Sequence, residues 1–109
     1  MEHYPPGEVV LLIFPFTDGM GAKRRPALVV LDTGDQDLVV ARVTSQTAQA
    51  VLDVELKDWH LAGLLLPSVV RVHKLATLEK RLIERRLGAL TRDDWAQVRN
   101  AIQQLWASI

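Results

Sequence analysis

Short apolar runs separated by turn residues set the limits on how this chain can fold. Val9 to Phe14, Ala27 to Asp32, Leu38 to Thr44, Val51 to Leu56 and Ser68 to His73 are mostly Val- and Leu-rich, and Leu82 to Leu87 forms a less regular sixth run. Each is long enough for a strand and too short for an ordinary helix, and β-branched side chains favour the pleated conformation. Asp32-Thr33-Gly34-Asp35 lies between the second and third runs and reads as a hairpin turn, because glycine reaches positive φ without a Cβ clash. The spacing predicts a curled antiparallel sheet or small barrel.

The periodicity changes near the C-terminus. Thr91 is followed three residues later by Asp94, a capping-box-like start, and Trp95, Val98, Ile102, Leu105 and Trp106 then recur at helical spacing. One amphipathic helix is expected, with both tryptophans anchored against the sheet or a second subunit. Leu75 to Arg86 fits a helix or a strand, and Gly88 is expected to end it in a turn before the cap. The fold class is therefore mainly β with a C-terminal helix (α+β). At 109 residues and 49% apolar content, with no linker or repeat, residues 1 to 109 form one domain. So small a core has a narrow stability margin, which favours a homodimer.

Several function classes are excluded early. There is no cysteine, so disulfides, thiolate metal sites and cysteine nucleophiles are ruled out. Glu2 and His3 stand where a secretory signal would carry positive charge, and Val9 to Phe16 is too short to span a bilayer. A soluble, cytoplasmic protein without membrane contact is expected. No P-loop, dinucleotide fingerprint, nucleophile elbow, HExxH or paired-carboxylate pattern occurs. His3, His60 and His73 are not grouped as metal ligands, and no cofactor is expected. The formal net charge of zero conceals an asymmetry: residues 1 to 70 carry nine acidic and five basic side chains, and residues 71 to 109 carry four and eight. A local basic face remains open to nucleic acid.

Three places stand out against a purely structural sheet. The loop expected from Thr17 to Arg25 has Asp18-Gly19 and Gly21, followed by Lys23-Arg24-Arg25-Pro26. A glycine-rich loop beside cations can approach a phosphate, and an arginine fork can bind its oxygens bidentately. Read alone, the cluster is first an ordinary solvated charge run beside an edge-strand proline. Arg42-Val43-Thr44-Ser45-Gln46 ends an apolar strand, with Arg42 and Thr44 on one face by alternation. Its adjacent hydroxyls can donate to phosphate, although read alone they are first a local hydroxyl-to-backbone turn at the strand end. His73 follows Arg71 by two residues, so a cation and a titratable imidazole share a face, useful for phosphoryl chemistry and equally an exposed strand pair.

Taken in order, PGEVVLLIFPFTD, KRRPALVV, ARVTSQ, AGLLLPSVVRVHKLATL and RRLGALTRDDW resemble the PemK/MazF family of toxin ribonucleases from bacterial toxin–antitoxin systems. The similarity runs from Gly7 to the final helix. It implies an SH3-like β-barrel with appended helices, a homodimer, and sequence-selective cleavage of single-stranded RNA (mRNA) without a metal ion. The family's RP arginine falls on Arg25 and its T-S or T-A threonine on Thr44.

The implied reaction is attack by the substrate's own 2′-hydroxyl on the adjacent phosphorus. Arg25 would stabilise charge on the phosphorane-like transition state, and Thr44 and Ser45 would fix the phosphate. Lys23, Arg24, Gln46 and Arg71 would contact substrate. A guanidinium is a poor proton acceptor at neutral pH, so the resemblance leaves the general base unassigned. His73 stands where the Kid-like branch has an acid, which makes it a candidate acid or base. The first loop also departs from the Glu-Gln-containing loop of many members, having Asp18-Gly19-Met20-Gly21-Ala22.

The resemblance further implies a cognate antitoxin whose disordered segment folds across the dimer groove. Two alternatives compete with this reading. One is a gyrase poison of the CcdB type, against which the KRRP and VTSQ motifs argue; the other is a non-catalytic SH3-like interaction module.

Overall fold

The computed structural model describes residues 2–15 and 21–109. Six antiparallel strands, β1 (Glu8–Pro15), β2 (Ala22–Leu31), β3 (Asp37–Thr44), β4 (Asp53–Glu55), β5 (Val69–Glu79) and β6 (Ile83–Ala89), form one sheet in the order β4-β5-β3-β2-β1-β6. One helix, α1 (Arg92–Ala107), follows, and short 3-10 turns occupy Trp59–Ala62 and Lys80–Leu82.

The central strands read as continuous apolar runs because both faces of the sheet are covered. Val9, Leu28, Ala41, Val43, Val70 and Val72 point to a core closed by Val98 and Ala101 of α1. Their neighbours Val10, Leu12, Ala27, Val29, Leu38 and Val40 point the other way into a second cluster, under Tyr4 from the N-terminal segment. Thr91 caps α1 as expected, its hydroxyl accepting the Asp94 N–H at 3.3 Å. Asp94 itself is 1% exposed and accepts the backbone N–H groups of Lys57 and Asp58, so the first turn of the helix is tied to the loop after β4. Trp95 packs into the first core, whereas Trp106 is 78% exposed.

Three expectations require correction and one open reading is decided. β2 begins at Ala22, so Lys23, Arg24 and Arg25 lie inside a strand, paired with Phe14, Ile13 and Leu12 of β1. Their side chains are exposed, which is why the apolar pattern starts only at Ala27. The fourth strand is three residues long rather than six. Of the two readings open for Leu75 to Arg86 the strand holds, interrupted by the 3-10 turn at Lys80–Leu82. Gly88 lies within β6 and does not form the turn, since a Cβ there would stand 2.7 Å from the carbonyl carbon of Ala62. It permits a close backbone approach.

That approach also bears on the barrel. β4 and β6 are the two edges and do not pair, so hydrogen bonding leaves the sheet open. The 3-10 turn at Trp59–Ala62 packs against β6 instead: Gly63 ends it at φ +81°, where a Cβ would meet the Leu87 carbonyl oxygen. The Asp32–Asp35 turn is present, with Gly34 at φ +91° and its N–H donated to Asp32 Oδ1 at 2.8 Å.

Candidate nucleic-acid interface

Pro26 determines where the sheet splits. It pairs with Leu11 of β1, but having no N–H it cannot donate to β3, and the β2–β3 ladder stops one residue away at Ala27 and Arg42. Extending the register that joins Ala27 to Arg42 and Leu28 to Ala41 by two residues sets Arg25 opposite Thr44. Further extension places Arg24 opposite Ser45 and Lys23 opposite Gln46. No β2–β3 pair is formed beyond Ala27 and Arg42, and these six residues lie on the two chain segments that run on from that last pair.

The gap is part of a groove of about 1060 Å³ lined by all six of these residues together with Arg42, Lys74 and Arg85. Leu64, Leu65 and Leu66 form an apolar portion of its lining. Among the described residues the groove carries six basic side chains and no carboxylate or imidazole. Arg24 is partly engaged, its Nε donating to Glu84 at 2.9 Å, and the contact holds the Glu84 carboxyl below its ordinary range. Lys23, Arg25, Arg42, Lys74 and Arg85 have no carboxylate within 4 Å among the described residues. Arg25 donates from Nη1 to the Arg24 carbonyl at 3.2 Å, which leaves the rest of its fork open. Thr44 Oγ1 accepts the Gln46 N–H at 3.2 Å. The hydroxyl-to-backbone turn is therefore real, yet it uses only an oxygen lone pair and the hydroxyl proton can still be donated.

Sequence reading named Arg42 only for sharing a face with Thr44, and missed Lys74 and Arg85. Lys74 is hidden by a register break: Ala41 pairs with Leu75 and the next residue, Arg42, with Arg71, so Val72, His73 and Lys74 have no partner on β3. The extra residues end simple alternation. Val72 is fully buried in the first core, while Lys74 lines the groove.

Arg71 and His73 are not brought to the groove lining. Both turn to Asp53, with Arg71 Nε at 3.3 Å and His73 Nδ1 at 3.8 Å from its Oδ1. The Asp53 side chain is 1% exposed. Burial raises its pKa, but N–H bonds from Gln49 and Ala50 and the charge of Arg71 outweigh burial and hold the carboxyl below its usual range. The glycine-rich loop singled out from Thr17 onward lies outside the described residues at positions 16–20. No three His, Asp or Glu side chains among the described residues gather as a metal-ligand set, and no described helix is long and apolar enough to cross a membrane.

A small two-core β-sheet with a helix over one face, split to expose a groove lined by cations and, among the described residues, by no carboxylate, has a site suited in charge to an anionic ligand. Residues 5–106 match the model of the PemK-like, MazF-like toxins of type II toxin–antitoxin systems, and the chain belongs to that family. The MazE–MazF structure from Deinococcus radiodurans (Form-II) is similar at 28% identity, covering 96% of this chain and 97% of that one, with a TM-score of 0.72. A second form of the same complex aligns at 26% identity over 95% and 96% of the two chains, with a TM-score of 0.76. An endoribonuclease from a mycobacterial species, solved with its cognate antitoxin, shares the fold at 20% identity over 96% of each chain, with a TM-score of 0.74. No curated protein sequence matches this chain.

Proposed function

We propose that this toxin is a metal-independent endoribonuclease that cleaves single-stranded RNA by attack of the 2′-hydroxyl on the adjacent phosphorus, giving a cyclic phosphate and a free 5′-hydroxyl. The carrying observation is the groove that Arg25 and Thr44 line together, among unpaired cations and no described carboxylate. Arg25 binds the phosphate and stabilises the charge that grows on its equatorial oxygens, with Thr44 and Ser45 donating hydroxyl hydrogen bonds to the same group. Lys23, Arg24 and Gln46 hold the flanking nucleotides. His73 and Arg71 contribute from the Asp53 side as a proton-transfer candidate and a substrate contact; the approach of His73 to a buried carboxylate supports an oriented imidazole.

The same reading includes sequence selectivity, a homodimer, a cytoplasmic setting and neutralisation by an antitoxin. Partnership of the similar folds with antitoxin chains supports the last of these. It also includes an SH3-like barrel in which the Trp59–Ala62 turn stands between the two sheet edges, supported by the close passage of Gly63 and Gly88. Neither the gyrase-poison nor the interaction-module reading gains a supporting observation.

The test is incubation of the purified protein with mixed-sequence RNA in excess chelator, beside the same oligonucleotide with 2′-deoxy substitutions. Cleavage of the ribo strand only is expected, and Arg25→Ala should slow it by about 10²–10³-fold, the usual effect of removing one transition-state donor. Intact RNA, equal cleavage of the deoxy substrate, or full activity in Arg25→Ala would refute the reading.

A further inference from the structure

The ribonuclease reading leaves one chemical role empty in the groove. Breaking the P–O5′ bond releases an alkoxide, which needs a proton, and the described groove residues include no carboxylic acid and no imidazole. The remaining N–H and O–H donors are unequal. An alkylammonium gives up its proton at about 10.4, a guanidinium only above about 12, so ammonium groups are the most acidic donors there and are still far more acidic than an alcohol. Two lysines line the groove, Lys23 and Lys74.

Their positions differ. Lys23 shares β2 with Arg25, two residues along the same strand, and pairs with Phe14 of β1. Lys74 comes from β5, on the far side of β3, and the register break at Val72–Lys74 is what delivers it to the groove near Arg42. Lys74 thus lines the same groove as Arg25 and Thr44 from a third strand, one that carries neither phosphate-binding residue. In-line displacement puts the entering and leaving oxygens on opposite sides of phosphorus, so an acid arriving from a wall other than that of Arg25 can reach the leaving oxygen without displacing the phosphate ligands.

We propose that Lys74 is the general acid of the cleavage step, an assignment that rests on the ribonuclease reading. The 2′-oxygen forms a bond to phosphorus as its proton passes to the base, the role that the assignment of the acid to Lys74 leaves to His73. The P–O5′ bond breaks, and a proton from Lys74 Nζ passes to O5′, giving the 5′-hydroxyl product. Water then reprotonates the amine. The three-residue break in β5 has, on this account, a chemical purpose: it turns a lysine into a groove that strand alternation alone would not deliver.

The test compares two RNA oligonucleotides of one sequence in excess chelator, one normal and one with sulfur in place of the bridging 5′-oxygen at the cut site. A thiolate leaves without needing a proton. Lys74→Met is expected to lower kcat on the normal substrate by about 10²–10⁴-fold, the usual contribution of an acid, and to cleave the sulfur substrate within about threefold of wild type. Lys74→Arg keeps the charge but holds its proton more tightly, so it should resemble Lys74→Met on the normal substrate. Lys23→Met should weaken binding of both substrates by the same factor. Equal loss on both substrates in Lys74→Met, recovery by Lys74→Arg, or sulfur rescue confined to Lys23→Met would overturn the assignment. Failure of the wild type to cleave either substrate would refute the ribonuclease reading and the assignment with it.

Discussion

At the scale of single residues, the acidic side chains explain why a chain of zero net charge can present a basic groove. Asp32, Asp53 and Asp94 are turned inward, where they accept backbone N–H groups and hold loops and termini in place. Asp32 accepts the N–H of Tyr4 at 2.8 Å and meets Lys80 Nζ at 2.9 Å, thereby clamping the N-terminal segment that covers the second core. The Tyr4 bond first, then Lys80 and the Gly34 N–H, outweigh burial and hold the Asp32 carboxyl well below its usual range. A depressed pKa stabilises the fold above the unfolded value of about 3.9, and that contribution is lost as pH falls toward the folded value. Asp32→Asn should therefore lower the urea midpoint at pH 7, and the gap from wild type should narrow by pH 3; an unchanged gap would refute the clamp. The Asp32 contacts with Tyr4 and Lys80 and the Asp94 contacts with Lys57 and Asp58 do not show in the sequence, since each joins residues dozens of positions apart. Arg25 and Thr44 were legible because they sit beside a proline and at a strand end, signals that are local.

Among the elements, strands and helix followed from patterning because burial on two faces leaves long Val and Leu runs, and the Thr91 cap marks its own helix. The runs failed where function or a crossing intervened. Lys23 to Arg25 belong to β2 although they face the groove, and Lys74 belongs to it although alternation in β5 is broken. Gly88 looked like a turn and instead lets the Trp59–Ala62 turn pass close to β6. This close approach to β6 can be probed with a matched pair. Gly63 and Gly34 have similar positive φ, +81° and +91°, but a Cβ at Gly63 would lie 2.1 Å from the Leu87 oxygen while one at Gly34 meets nothing within 4 Å. Gly34→Ala should cost about 1–2 kcal/mol from backbone strain alone. Gly63→Ala should lose a further 1–3 kcal/mol, roughly, from overpacking, seen as a lower urea midpoint with an unchanged m-value. Equal losses would show that the turn does not press on β6.

For the whole molecule, function depends on how charge is sorted rather than on how much there is. Glu2 and Glu8 pair with Arg86, Glu84 with Arg24, and Glu79 with Arg81, so much of the exposed acid is compensated on the spot. Lys23, Arg25, Arg42, Lys74 and Arg85 stay free of described carboxylates and converge on one groove. Summed charge would miss this field, because opposite charges elsewhere cancel it in the total. A single strand laid along the groove releases counterions for each phosphate neutralised, with a slope of log K against log salt of about −0.7 per contact. Engagement of all five free cations gives a slope of about −3.5, measurable by fluorescence anisotropy with a 2′-O-methyl RNA that binds without being cut. Arg42→Ala should flatten it by about 0.7 and weaken binding similarly for all sequences, as expected of a phosphate contact. Lys57→Ala, outside the groove lining, should leave the slope unchanged. A slope near zero, or one that Lys57→Ala flattens as much as Arg42→Ala, would show that RNA does not follow this groove.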